Sequence, residues 1–386
     1  MKRHSLAISL AASVALTVAF PAHAVEIRLC EREIRTAPLS DERGVQSALV
    51  QGFAVVNTDD HPVTLTSISF HLNDQRHLRD SRWLLPSDIA LAVKQAPQIS
   101  MIAEVFPSQF CNGKMLMKAK LATSDTLAPG EAVVFMYQPF AWKGVRDEIE
   151  IVVETKSEAQ NKQDRITLSI TSGVSKTKAL YPVPGRSFVA VAASFHTPHR
   201  WASIEEFAYD IVALNANGST YRGKGTKLSD YAAFGMPVRA TADGKVVAAI
   251  GTSADNAAML KRPDEAEEAY FVRLQQGQMG LLAKGMTSLL GNYVVIDHGN
   301  GEYSISAHLK QGSVRVKAGD TIRAGEPIGT IGSSGNSTEP HLHFQICDGP
   351  DIAACRPVPA NFIGYRLPFE LAPRSIQSGD VVEAAE

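Results

Sequence analysis

Cysteine, tryptophan and net charge are all scarce in this chain. Of 386 residues only 4 are Cys and 3 are Trp, and 38 Lys and Arg nearly balance 40 Asp and Glu, leaving a formal net charge of −2. That balance gives no electrostatic reason to expect nucleic acid as a partner. Long apolar runs are scarce too. One, Leu6 to Phe20, lies at the extreme N-terminus, and nothing after it is long and apolar enough to span a bilayer. With 45% hydrophobic and 20% charged residues the mixture is globular, neither disordered nor fibrous. The length suggests about two or three domains.

Lys2, Arg3 and His4 precede the apolar run, and Ala22-His23-Ala24 offers a small-x-small cleavage site, so residues 1–24 read as a signal peptide. The run falls short of the roughly 20 residues a spanning helix needs. The mature chain, starting at Val25, is expected to be exported, periplasmic or secreted, with no transmembrane segment. Export gives Cys30, Cys111, Cys347 and Cys355 a meaning, because an even count in an oxidising compartment favours disulfides over metal thiolates. The pairing that respects the domain division below joins Cys30 to Cys111 and Cys347 to Cys355. The spacing of the last two matches no usual zinc pair.

Residues 25–180 are β-rich. Gly52–Asn57, Val63–Phe70, Ala132–Met136, Glu148–Val153 and Arg165–Ile170 are short strand-like runs separated by turns and charged stretches, which predicts an immunoglobulin-like β-sandwich. Residues 86–120 break the pattern and suit a helix. No catalytic constellation is visible in this accessory domain. Ser175 to Arg186, with Pro182 and Pro184, reads as a linker, 185–370 as a second domain, and 371–386 as a flexible tail. Two excursions interrupt the second domain, Asn215 to Asp230 and Ser253 to Leu290. Pro263-Asp264-Glu265-Ala266 in the latter resembles a helix start. Such an insertion more often shapes or covers a site than carries chemistry. From Val314 to Asn336 a rhythm of Gly turns and short apolar pieces predicts a compact antiparallel β roll. No Gly pattern here precedes a helix, which excludes a phosphate cradle. A swinging-arm carrier would need a Lys at a hairpin tip with flanking Met, and none is found.

His341-Leu342-His343-Phe344 is the sharpest local signal. Residues i and i+2 of a strand share a face, so both imidazoles point into one cleft. Asp210 sits in an apolar, strand-like run, Phe207 to Leu214, where a buried carboxylate needs a cation or hydrogen bonds. His308 lies in a similar run, and His196 and His199 stand upstream. His298, in a hairpin-turn sequence, reads as structural. Together these residues suit a hydrolytic zinc site, with three protein ligands, an open position for water, and two further His for proton work.

Several ordered motifs in the second domain resemble those of the lysostaphin-type (LytM-like) peptidoglycan metallo-endopeptidases. They are Phe-Ala-Tyr-Asp at 207–210, Gly-Met-Pro-Val-Arg-Ala at 235–240, Gly-Asn-Tyr-Val-Val-Ile-Asp-His-Gly at 291–299, Ala-His-Leu at 307–309 and Pro-His-Leu-His-Phe at 340–344. The resemblance implies a β roll built on a duplicated hybrid motif. It also implies Asp210 and His343 as zinc ligands, His308 and His341 as the catalytic pair, and cleavage of peptide bonds in bacterial wall peptidoglycan. The usual His-x-x-x-Asp pattern is broken, because Glu206 stands four residues before Asp210. His196, His199 and Glu206 are therefore the candidates for the first ligand. His199 is assigned here, since it opens His-Arg-Trp after Pro198 and resembles the His-Arg start of long-loop members. The alternative is a catalytically weak or inactive regulator that activates other wall hydrolases, against which the retention of Asp210, His308, His341 and His343 argues. The N-terminal domain would then be free to bind a wall-associated protein partner.

Overall fold

The computed structural model describes residues 23–40, 44–158, 160–371 and 374–385. The signal peptide reading thus lies, apart from His23 and Ala24, outside the described residues. No helix among the described residues is long and apolar enough to cross a membrane.

The protein is mainly β. In the N-terminal part, alternation of apolar and polar residues builds two sheets packed face to face. One has the order Val25–Leu29, Val45–Asn57, Glu131–Lys143, Lys120–Leu121, with Ala37–Ser40 also paired to Val45–Asn57. The other runs Glu33–Arg35, Asn161–Thr171, Glu148–Lys156, Val63–Asp74, His77–Leu84. Phe53 lies at the centre of the interior, 5.1 Å from Phe135 and 5.9 Å from Phe70 between ring centroids. Two parallel pairs, Glu33–Arg35 with Asn161–Thr171 and Lys120–Leu121 with Glu131–Lys143, depart from purely antiparallel pairing. Helices Pro86–Lys94 and Ala96–Val105 occupy the stretch where alternation breaks. Disulfides join Cys30 to Cys111 and Cys347 to Cys355.

The segment read as a linker is not one. Ala179, Tyr181 and Val183 are fully buried, and Lys178–Leu180 pairs in parallel with Asn361–Ile363. Pro182 and Pro184 fit a spacer, but the side chains at 179, 181 and 183 alternate inward and join the second core. The buried Glu302 ties the start of this segment down. It accepts hydrogen bonds from Ser175 Oγ (2.8 Å), Lys176 N (2.9 Å), Thr177 N (2.8 Å) and Thr177 Oγ1 (2.7 Å). Burial alone would raise the pKa of this carboxyl, but the four donors outweigh it and hold the group below its ordinary value. The ionised form is therefore favoured by folding. Its contribution is present above the unfolded pKa and is lost as the pH falls through the lower folded one. Glu302→Ala is expected to lower stability by about 2–4 kcal/mol at neutral pH and by much less near pH 3. Urea unfolding at both pH values checks this, and an equal loss at both would contradict the assignment.

The second domain centres on a ten-stranded sheet. Its order is Thr321–Ile322, Gly244–Ile250, Asn292–Asp297, Tyr303–Leu309, Leu342–Cys347, Tyr209–Val212, Gly185–Val191, Val381–Ala384, Tyr365–Arg366, with Pro357–Val358 beside Leu342–Cys347. The expectation of a flexible tail is corrected here. Val381–Ala384 pairs with both Gly185–Val191 and Tyr365–Arg366, and Val382 is fully buried. The second excursion carries helix Glu267–Leu282, which buries none of its residues.

Candidate metal centre

Three adjacent strands of this sheet carry the site. Register places Asp210 opposite His343 on one side, and Ala307, next to His308, opposite His343 on the other. Leu342 and Phe344 turn the other way into the core, so the two-residue period leaves His341 and His343 on the polar face. His199 arrives from outside the sheet, on the short 3-10 turn His199–Trp201. Its loop is braced by Thr197 Oγ1, which donates to the carbonyls of Ala192 and Ser194, both at 2.8 Å.

One ligand atom each from His199, Asp210 and His343 lies within 4.8 Å of the others. His199 Nε2 is 3.4 Å from Asp210 Oδ2, and His343 Nδ1 is 3.2 Å from Asp210 Oδ1. Zinc bonds of about 2.0–2.1 Å at tetrahedral angles put neighbouring donors about 3.3 Å apart. Both separations fit that edge, and two imidazoles with one carboxylate are a donor set zinc takes readily. His343 Nε2 donates to Gln345 Oε1 at 3.0 Å, which turns Nδ1 toward Asp210, where it donates in the metal-free protein and would offer its lone pair to a bound metal. Gln345 is fully buried and its own Nε2 donates to Ile204 O at 3.2 Å and to Cys347 Sγ at 3.0 Å.

His308 and His341 stand beside this group. The rings of His308 and His341 are 4.7 Å apart, those of His308 and His343 5.8 Å. His308 Nδ1 is 2.8 Å from Ser334 O and His341 Nδ1 2.7 Å from Glu339 O. A carbonyl can only accept, so each Nδ1 carries a hydrogen and donates it, which in the neutral ring leaves Nε2 as the acceptor. His341 Nε2 faces Asp210 Oδ1 at 3.5 Å. His308 has φ of 60°, a conformation rare for a side chain of this size, and its N–H is fixed to Leu290 O at 3.0 Å. The loop that supplies Ser334 sits close because Gly291 (φ 64°) and Gly335 (φ 71°) face each other, and a Cβ on either would strike the backbone opposite.

Electrostatics follow from this crowding. Burial opposes ionisation of Asp210, but the neighbouring His199 and His341 rings and the His343 hydrogen bond hold its carboxyl well below the usual range. Burial pushes His343 down, yet the bond and charge of Asp210 prevail and raise it to about 9 in the metal-free protein. Burial, helped by His341 and His343, keeps His308 well below the ordinary histidine value, hence neutral.

The other sequence candidates fall elsewhere. His196 is exposed and outside the group. Glu206 is 14% exposed with its carboxylate 3.1 Å from Arg200 Nη1, and Arg200 has no exposed side-chain surface. His298 bonds Asp243 O (2.9 Å) and Ser304 Oγ (3.0 Å), as its structural reading requires. Gln345 was missed, although it continues the 341, 343, 345 period on the same face. Beyond Glu339 the two excursions meet around a cavity of about 440 Å³, lined among others by Tyr221, Lys224, Tyr231, Arg262 and Tyr270.

This geometry, a mainly β domain with paired His and a carboxylate on adjacent strands, defines a group of side chains that could hold a metal ion. Residues 274–353 match Peptidase family M23, a segment that includes His308, His341 and His343. Among curated relatives, the DD-carboxypeptidase/endopeptidase Mpg of Neisseria meningitidis serogroup B is 45% identical over 62 residues, 16% of this chain and 14% of that protein. The peptidoglycan DD-endopeptidase ShyA of Vibrio cholerae is 41% identical over 70 residues, 18% of this chain and 15% of that protein. The chain thus spans about a seventh of the length of the curated relatives it matches. The catalytic domain of lysostaphin from Staphylococcus simulans aligns over 47% of this chain and 87% of that one, at 20% identity and a TM-score of 0.23. The resemblance to lysostaphin-type peptidases that the motifs carry stands with the family match and the curated relatives.

Proposed function

We propose that this protein is a zinc-dependent endopeptidase that hydrolyses peptide bonds of bacterial peptidoglycan, outside the cytoplasm. The observation that carries the reading is the convergence of His199, Asp210 and His343 beside two His whose Nδ1 atoms are tied to backbone carbonyls. His199, Asp210 and His343 would hold the metal. Bound zinc supplies a water acidified to a pKa of about 7 and polarises the scissile carbonyl. His308 and His341 accept and return protons at Nε2, and their Nδ1–H bonds to backbone carbonyls keep the rings aimed. In their protonated form the same atoms donate to the developing oxyanion. The names of the relatives support peptidoglycan as the substrate, and the two disulfides suit an exported enzyme.

Incubation of the mature chain with purified sacculi, with and without a chelator, tests this directly. Mass analysis should find peptide fragments released only where zinc is retained. Release that ignores the chelator would contradict the mechanism. A chain that holds one zinc yet releases nothing would be a binder instead.

A further inference from the structure

We propose that the N-terminal sandwich is a working part of the metal centre, in which Gln51, Gln109 and Tyr137 are positioning residues for His199. The proposal rests on the reading of His199 as a zinc ligand. His199 lies between strands Gly185–Val191 and Tyr209–Val212, in a connection whose only regular element is the three-residue turn His199–Trp201. Such a segment carries little order of its own and must be fixed by what it packs against.

The sandwich supplies that fixation at three of the four residues after His199. Gln51 Nε2 donates to Arg200 O at 3.0 Å, and Ser203 N donates to Gln109 Oε1 at 3.1 Å. Gln109 Nε2 in turn donates to Gln51 Oε1 at 3.1 Å. The four groups form one directed relay, from Ser203 through both amides to Arg200, in which neither amide can flip without breaking a bond. Between these anchors the Trp201 ring meets the Tyr137 ring edge-on, 5.5 Å between centroids. Gln51 and Tyr137 lie across from each other on paired strands, bracketed by the partners Val50 with Gln138 and Gly52 with Met136. Gln109 sits on the turn Pro107–Phe110, immediately before the Cys111 that is bonded to Cys30. On the opposite side Gln345 holds Ile204 O while also holding His343. His199 and His343 are therefore set relative to each other through a loop pinned on one side by the sandwich and on the other by the sheet.

Outer partners of this kind are worth about 10–100-fold in metal affinity. The double variant Gln51→Ala/Gln109→Ala, in the full chain, should bind zinc about 10–100-fold more weakly in competition with a chromophoric chelator. In the metal-free protein its Ser203 amide should lose hydrogen-exchange protection. Tyr137→Ala should shift affinity in the same direction, whereas Tyr137→Phe, which keeps the ring, should restore it. Arg35→Ala removes interdomain bonds to Arg356 O, Pro357 O and Asp348, and none to the loop, so it should leave zinc affinity unchanged. Wild-type zinc affinity in a folded double variant and in Tyr137→Ala would overturn the proposal. So would an equal loss in Arg35→Ala, which would make the effect one of general docking. A wild-type chain that binds no zinc would instead sink the reading of His199 as a ligand.

Discussion

His308→Ala and His341→Ala should each retain about one zinc per chain while losing about 10²–10⁴-fold in peptidoglycan hydrolysis. Both rings are anchored through Nδ1 to backbone carbonyls and lie beside the group of three rather than within it. Truncating either removes a proton acceptor and leaves His199, Asp210 and His343 in place. Alanine at any of those three should instead strip the metal. Elemental analysis of the purified variants, read alongside turnover of sacculi, separates the two groups. Zinc loss in the His341 variant is the outcome to watch, because its Nε2 stands only 3.5 Å from Asp210. Such a loss would make His341 a ligand.

Glu206→Ala should destabilise the protein by about 3–5 kcal/mol, because it leaves the Arg200 guanidinium buried without its counter-charge. Arg200 has no exposed side-chain surface, and none of its guanidinium nitrogens makes a hydrogen bond of good geometry. It lies against Phe195 and Phe207, 5.2 and 4.9 Å from their ring centroids, so the carboxylate of Glu206 is its nearest compensation. Burial pushes the Glu206 carboxyl up while the Arg200 charge pulls it back, the pattern of a pair held together inside the protein. Replacing both members with apolar residues, Arg200→Met with Glu206→Leu, should recover most of the loss, as buried ion pairs commonly allow. Chemical denaturation of the single and double variants measures the coupling. Glu206→Gln should keep its zinc, whereas a ligand role for Glu206 requires that it be lost.

Much of the site was legible because strand geometry is simple. A period of two puts His341 and His343 on one face, and an acid in an apolar run marks Asp210 as needing a partner. Gln345 lay on the same face by the same arithmetic, but an uncharged amide carries no chemistry of its own and raises no signal until His343 is seen against it. Gln51 and Gln109 could not be read at all. Their roles exist only when two domains meet, and neither alternation nor turn chemistry encodes which surfaces dock. The prolines of 175–186 misled for a related reason. Pro limits local φ, yet whether such a segment hangs free or fills a core depends on partners such as Asn361–Ile363, far along the chain. The tail was misjudged likewise, since Val381–Ala384 is too short to announce itself as a strand without the edge it completes.

That last strand has a consequence for how this flank of the sheet assembles. The strand leading into the His199 loop, Gly185–Val191, takes one neighbour from Tyr209–Val212 and the other from Val381–Ala384. Gly185 is paired with Ala384, so this flank of the sheet closes only when segments far apart in the sequence meet. Pairing across so much chain is slow and comes late in assembly. Val381–Ala384 holds none of the His or Asp of the centre, yet it flanks the strand that leads into the His199 loop. The entry to the candidate metal centre is thereby framed by a pairing between distant segments of the chain.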